Sequence, residues 1–405
     1  MRALAPALAG IALAGIALAL APPDHGAHAQ TITTLPDSVL PRKDDKTYLP
    51  DDWLLGSGQP WHYRVAPAGR GLPLLEPTQP ASRSPLVQET RKLVERYELK
   101  VAVLVDDGRV IDIAARPGIG PATLLMSASM GKTITAVAAG KAVCAGHLRL
   151  DTLAGSVVPV LQGADLGKAT LRDLLTMTSG AAEPPPRDAT GLSRDETARY
   201  IQGDGPLETL LASPRHGVAQ RDNGRAVEPG QRFSYKSADP LTVAVMLQYA
   251  TGMPAAQWVD RQVLQEVPIG DGAVLGTNRR GEFAGAEGNV RLTLLDWIRF
   301  AIWVQASRGR PDCFGNFLRS MGSTQVRIPL IDGINGYFGG YGFLTWTDNR
   351  LAPRTSWAAG YGGQRIGWSS DPANRRIFLT FGNSADKDMN AIYPVADRWI
   401  NSRDR

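Results

Sequence analysis

The stretch LLMSASMGKTITAVAAGKAV, residues 124–143, holds two overlapping chemistries. Gly131-Lys132-Thr133 is the end of a phosphate-binding loop. Ser129-Met130-Gly131-Lys132 is a serine nucleophile with a lysine three residues on. A Walker A loop needs a glycine five places before Gly131, and that place is Met126, so the curl that would cradle phosphate lacks its first glycine. The serine reading has no such gap. Thr133 to Ala139 are small and apolar on most faces, which predicts a buried helix. Gly140 weakens that helix by about 1 kcal/mol relative to Ala, and Gly146 supplies its stop. If Ser129 opens the helix, Lys132 lies one turn on and on the same face. The free N–H groups of the first turn then face whatever the serine attacks. Burial and the positive helix end both disfavour an ammonium, so the expectation is a lowered Lys132 pKa and a neutral amine that takes the serine proton.

Ser-x-x-Lys alone is a weak signal. A second copy, Ser384-Ala385-Asp386-Lys387, has Asp386 and Asp388 beside its lysine and reads as a solvated loop. The first copy has company. PGQRFSYKSADPLTVAVMLQYATG places Tyr235-Lys236-Ser237 on a loop just before a helix. A tyrosine beside such a lysine can pass a proton to a leaving group. Lys236 points away from its neighbours in extended chain, toward solvent or substrate. The third element, WAAGYGGQRIGW, sets Tyr361-Gly362-Gly363-Gln364 where a strand begins. Glycines there let a substrate lie close to the strand edge, with the Gln364 N–H facing it. By period two Arg365 shares a face with Tyr361 and offers a charge to anionic substrates.

Taken with LRDLLTMTSG and in this order, these motifs resemble the serine β-lactamase-related superfamily, most of all the branch holding class C-like hydrolases, family VIII esterases and 6-aminohexanoate-dimer hydrolases. The resemblance covers about residues 87–405. It implies an antiparallel sheet flanked by terminal helices, a helical region inserted between its strands, and an active site at their junction. It implies Ser129 as nucleophile, Lys132 as its base and Tyr235 as partner acid/base. The N–H groups of Ser129 and Gln364 would form the oxyanion hole. Ser237, where relatives often have Asn, would touch substrate together with Tyr361, Gly362, Gly363 and Arg365. Neither metal nor cofactor is implied, and the partner is a small ester, amide or peptide substrate. Relatives that act on β-lactams commonly carry Lys-Thr-Gly in the third motif, where this chain has Tyr361-Gly362-Gly363. Ester or amide cleavage is therefore expected ahead of a β-lactamase or D-Ala-D-Ala carboxypeptidase activity. A non-catalytic penicillin- or cell-wall-binding protein on the same scaffold is the alternative, and the intact Ser, Lys and Tyr argue against it.

The elements that must hold these residues are readable in outline. KVAVLVDDGRVIDIAA predicts a hairpin turning at Asp106-Asp107-Gly108. TLRDLLTMTSG, ADPLTVAVMLQYATG and LTLLDWIRFAIWV predict helices, the first two stopping at Gly180 and Gly252. After about residue 335, aromatic and β-branched runs between turn residues predict antiparallel strands, and a last helix covers about 388–401. Strands at both ends with helices between define an α+β class. The expected division is a sheet from about 99–115 and 336–383, with helices over about 121–335. Residues 30–86, rich in Pro, Asp and Gly, read as an irregular extension that is either a lid or a brace.

Arg2, an uncharged Ala/Leu/Ile run and Ala27-His28-Ala29 before Gln30 form the pattern of a cleavable signal peptide over 1–29. No later run is long and apolar enough for a stable membrane anchor. The expected location is the periplasm or outside the cell. Net charge is +5, but the basic residues are scattered, so nucleic acid is not an expected partner. His62, His147 and His216 sit in no catalytic context, and no metal-ligand spacing occurs. Cys144 and Cys313 are the two cysteines. Export permits a bridge, yet Cys144 on an apolar helix reads first as a buried free thiol.

Overall fold

The structure is a computed structural model that describes residues 33–34, 61–68, 74, 84–97, 99–181, 203, 205–212, 221–222, 225–328, 337–383 and 390–401. The signal peptide, His216 and the second Ser-x-x-Lys copy lie outside the described residues. The large sheet has nine strands in the order Thr33–Thr34, Arg109–Ala115, Leu99–Asp106, Ile377–Gly382, Arg365–Ser369, Ala352–Ala359, Trp346–Asn349, Phe338–Tyr341 and Val326–Arg327. Every pairing is antiparallel except that of Thr33–Thr34 with Ala114–Ala115. The first hairpin turns where the sequence placed it. Asp107 (φ 49°) and Gly108 (φ 76°) both take the left-handed conformation that matches strand twist in a two-residue turn. At the sheet centre Leu99–Asp106 pairs with Ile377–Gly382, which joins the two ends of the chain.

Pro85–Arg96 and Ile392–Asn401 pack together over this sheet. Each buries one stripe, Val87, Leu93 and Val94 on the first and Ile392, Val395, Trp399 and Ile400 on the second. Trp399 satisfies its indole by donating to Ile377 O at 2.9 Å, as a buried tryptophan must.

The helical region contains Lys132–Cys144, Ala238–Thr251, Leu294–Arg308 and Cys313–Met321. It also carries a four-stranded sheet in the order His62–Val65, Ala273–Gly276, Val290–Thr293 and Leu124–Met126. These strands are too short for their alternation to stand out in sequence. The extension before the body enters both sheets, through Thr33–Thr34 and His62–Val65, so its described parts act as a brace.

The helix expected through Gly180 stops sooner, at Leu175. Its end is consumed by tertiary bonds: Leu344 N–H donates to Leu175 O at 2.7 Å and Ser234 N–H to Met177 O at 2.8 Å. Ala238–Thr251 ends as expected, on Gly252 at φ 67°.

The cysteine expectation is overturned. Cys144 and Cys313 form a disulfide, with Cα atoms 5.7 Å apart. The physical reason is Gly140. A Cβ there would lie 2.5 Å from the Phe317 ring, so its absence lets Cys313–Met321 approach the Lys132–Cys144 helix.

Candidate active site

Ser129 lies in a 3-10 turn, Ala128–Gly131, that feeds directly into Lys132–Cys144. Ala128 holds φ 43°, a strained value for a non-glycine residue. The strain is maintained by the segment 284–290. Val290 N–H donates to Ser127 Oγ at 3.1 Å, and that oxygen lies 3.2 Å from Gly288 O. Thr135 Oγ1 donates to Ala286 O at 2.8 Å. Gly288 adopts φ 148°, and a Cβ on it would lie 2.6 Å from Ala128 O and 2.9 Å from Ser129 Cα. Gly131 is needed for space, since its Cβ would meet Ser127 Oγ at 2.7 Å.

Lys132 is buried on almost every side, and its Nζ donates to Ser129 Oγ at 3.0 Å. It donates also to the backbone oxygen of Glu287 and lies 3.4 Å from that residue's Oε2. Its nitrogen is 5.1 Å from the centroid of the Tyr235 ring. The expected lowering of its pKa does not occur. Burial pulls the ammonium down, but the Tyr235 oxygen and the Glu287 carboxylate, through charge and hydrogen bonds, more than offset it and hold Lys132 above the ordinary lysine range. Sequence reasoning missed Glu287. Its signal was an acid set among small residues in AGAEGNV, a segment too apolar for a solvated surface loop.

Tyr235 is oriented by stacking on Trp346, centroids 5.1 Å apart, and by an edge contact with Tyr341. Lys236 faces neither solvent nor substrate. It is fully buried, donates to Ser234 O at 2.9 Å, and lies 3.1 Å from Asp239 Oδ2 as an ion pair. Asp239 in turn accepts from Ser179 Oγ at 2.6 Å. The first turn of Ala238–Thr251 carries Asp239 back beside Lys236, which lies just ahead of that helix. Ser237 opens that helix and donates to Glu287 Oε2 at 2.9 Å.

In the third motif, Tyr361–Gly363 is a tight turn between Ala352–Ala359 and Arg365–Ser369, with Gly362 at φ 82° and Gly363 at φ 102°. The turn breaks the alternation that was to put Arg365 beside Tyr361. Arg365 donates to the carbonyls of Gly360 and of Gln364, the latter at 2.8 Å, and to Tyr393 Oη at 2.9 Å. Its guanidinium therefore braces the turn. Tyr361 is 55% exposed. Gln364 is fully buried; its backbone oxygen accepts from Gly360 N–H at 2.7 Å and its Oε1 from Gly382 N–H at 3.0 Å. Gly360 of this motif packs tightly on the Ser129 turn: a Cβ on it would lie 2.4 Å from Ser127 O and 2.9 Å from Met130 N. No group of His, Cys, Asp and Glu suited to a metal occurs among the described residues.

An antiparallel sheet joined to a helical region, with a serine and a buried lysine in contact at the start of a helix, defines a β-lactamase/transpeptidase-like hydrolase scaffold. The chain belongs to the Beta-lactamase family, whose model matches residues 88–396. A curated relative, penicillin-binding protein 4 of Amycolatopsis lactamdurans, is 30% identical over 198 residues, 44% of this chain and 50% of the relative, so the match spans about half of that protein's length. Among solved structures, a protein described as a 6-aminohexanoate-dimer hydrolase from Bacillus anthracis superposes with a TM-score of 0.67 at 17% identity, covering 90% of this chain and 97% of that one. The D-amino acid amidase of Ochrobactrum anthropi superposes with a TM-score of 0.58 at 16% identity, covering 78% of this chain and 97% of that one. These likenesses define the fold.

Proposed function

We propose that this protein is an exported serine hydrolase that cleaves an ester or amide bond through an acyl-enzyme on Ser129. The observation that carries the reading is the 3.0 Å contact between Lys132 Nζ and Ser129 Oγ at the head of a buried helix. Ser129 attacks the carbonyl, and its proton passes to the Lys132 side. Tyr235, within reach of Lys132, returns a proton to the leaving group. In this reading the N–H groups of Ser129 and Gln364 hold the oxyanion; the close packing of Gly360, at the start of the Gln364 turn, on Ser127 and Met130 supports it.

Support for an ester or amide preference comes from the described residues. The basic residues of the three motifs are all engaged: Lys132 with Glu287, Lys236 with Asp239, and Arg365 with two carbonyls. This supports an ester or amide ahead of a substrate whose carboxylate needs a free cation. The likeness to a penicillin-binding protein keeps cell-wall peptide recognition as the second reading. The disulfide supports export, since such bonds persist in oxidising compartments.

The test is a panel of p-nitrophenyl esters, aminohexanoate dimer, D-amino acid amides, D-Ala-D-Ala peptides and nitrocefin, run with wild type and Ser129→Ala. Turnover of esters or amides that is lost in Ser129→Ala is expected. Wild-type rates in Ser129→Ala refute the assignment. Tight peptide binding without turnover of any substrate selects the second reading.

A further inference from the structure

A charged Lys132 donates to Ser129 Oγ at 3.0 Å and to Glu287 O, lies 3.4 Å from Glu287 Oε2, and has the Tyr235 oxygen as a further acceptor. A lysine that donates to the serine cannot at the same moment accept from it. It must first lose a proton, and the geometry offers one carboxylate on its nitrogen. Glu287 is half-buried, with 27% of its side chain exposed, and is fixed in place by more than its own bonds. Ala286 O is held by Thr135, Gly288 packs on Ser129 Cα, and Ser237 Oγ donates to the same Oε2 at 2.9 Å. The carboxylate thus touches both Lys132 and Ser237, the residue at the head of Ala238–Thr251.

We infer that Glu287 is the proton store for acylation, receiving a proton from Lys132 as Lys132 takes one from Ser129. This deepens the proposed function and rests on Ser129 being the nucleophile. The Ser129 Oγ–H bond breaks and an Oγ–C bond to the substrate carbonyl forms. The serine proton moves to Lys132 Nζ, and a Lys132 proton moves to Glu287 Oε2. Lysine ends with its charge unchanged, the carboxylate is neutralised, and the negative charge resides on the tetrahedral oxygen. When the intermediate collapses, the leaving group takes a proton through Tyr235 and Lys132, and Glu287 returns its own to Lys132. Glu287 acts through Lys132 and is a positioning and proton-holding residue.

The relay explains how a lysine kept charged can serve a nucleophile. The titratable groups facing Lys132 are Tyr235 and Glu287. Tyr341 stands behind Tyr235, and Lys236 and Asp239 neutralise one another below the same loop. With Glu287 present, acylation does not wait for Lys132 to give up a proton to solvent, so its rate does not climb across neutral pH. Without it, acylation waits for Lys132 to lose its proton to solvent and climbs with pH.

The experiment measures the rate at which a fluorophosphonate adds to Ser129 in the full chain, by intact mass and peptide mapping, across a pH series. Wild type is expected to label at a rate flat with pH. Glu287→Gln is expected to label about 100-fold more slowly at neutral pH and to recover as pH rises. A Glu287→Gln rate equal to or above wild type, or a uniform loss with the wild-type pH profile, overturns the relay. Absence of mass on Ser129 in wild type overturns the nucleophile assignment instead. If the unfolding transition shows that Glu287→Gln is not folded, Glu287→Asp takes its place. Its carboxylate, drawn back by one methylene, is expected to slow labelling at least about tenfold, and an unchanged rate overturns the relay.

Discussion

Replacing Lys236 by Met leaves Asp239 as a buried carboxyl held by the hydroxyl and backbone N–H of Ser179. Both members of the pair are 0% exposed, so water cannot compensate. Removing one partner from such a pair costs about 3–5 kcal/mol. At roughly 2 °C per kcal/mol, Tm should fall by about 6–10 °C. The neutral pair Lys236→Met with Asp239→Asn should regain at least about half of that, because no uncompensated charge remains and the Ser179 contact survives. The loss also has a pH signature. Burial raises the Asp239 pKa, while Lys236 and Ser179 pull it back. The folded carboxyl thus binds a proton more readily than the unfolded one. Its stability contribution is full below the ordinary carboxylate range and is lost as pH rises through the folded value. Without Lys236 that value moves higher, so the Lys236→Met deficit should shrink as pH is lowered and grow toward neutrality. Urea unfolding followed by tryptophan fluorescence at several pH values measures it. A double variant no more stable than the single one, or a deficit independent of pH, refutes the argument.

Two further outcomes can be checked alongside the Ser129 and Glu287 tests. Gly360→Ala places a methyl against backbone atoms of Ser127 and Met130, which cannot swing aside. Ester turnover should fall at least about tenfold from a displacement at the nucleophile, and kinetics near wild type in a folded variant would contradict the contact. The Cys144–Cys313 bridge closes a loop of sequence separation 169, for which chain entropy gives about 5 kcal/mol as an upper figure. The double Ala variant should therefore show a lower urea midpoint, and an unchanged midpoint would show that the bridge adds nothing to stability.

The local features were legible because they depend on near neighbours. The Asp107-Gly108 turn follows from residues that tolerate positive φ, and the Gly252 stop follows from the same property. The Ser129–Lys132 contact follows from helical spacing across four residues. Arg365 was misread because period two assumes an extended chain, and the glycines of Tyr361–Gly363 turn it. The four-stranded sheet was missed because its strands, such as Leu124–Met126, are three or four residues long.

By itself the sequence determined the pairing of Ser129 with Lys132, the buried helix that carries Lys132, the α+β class and the order of the motifs. The pairing and the helix are set by spacing within a short window, and the class and the motif order by the succession of such windows along the chain. Tertiary structure alone decided the charges. Glu287 reaches Lys132 from 155 residues away, and Asp239 lies beneath Lys236 where neither sees water. The protonation of a buried lysine is set by the sum of desolvation and nearby charge. The sequence shows the burial, but the opposing charge comes from a segment whose place at the site exists only once the chain has folded.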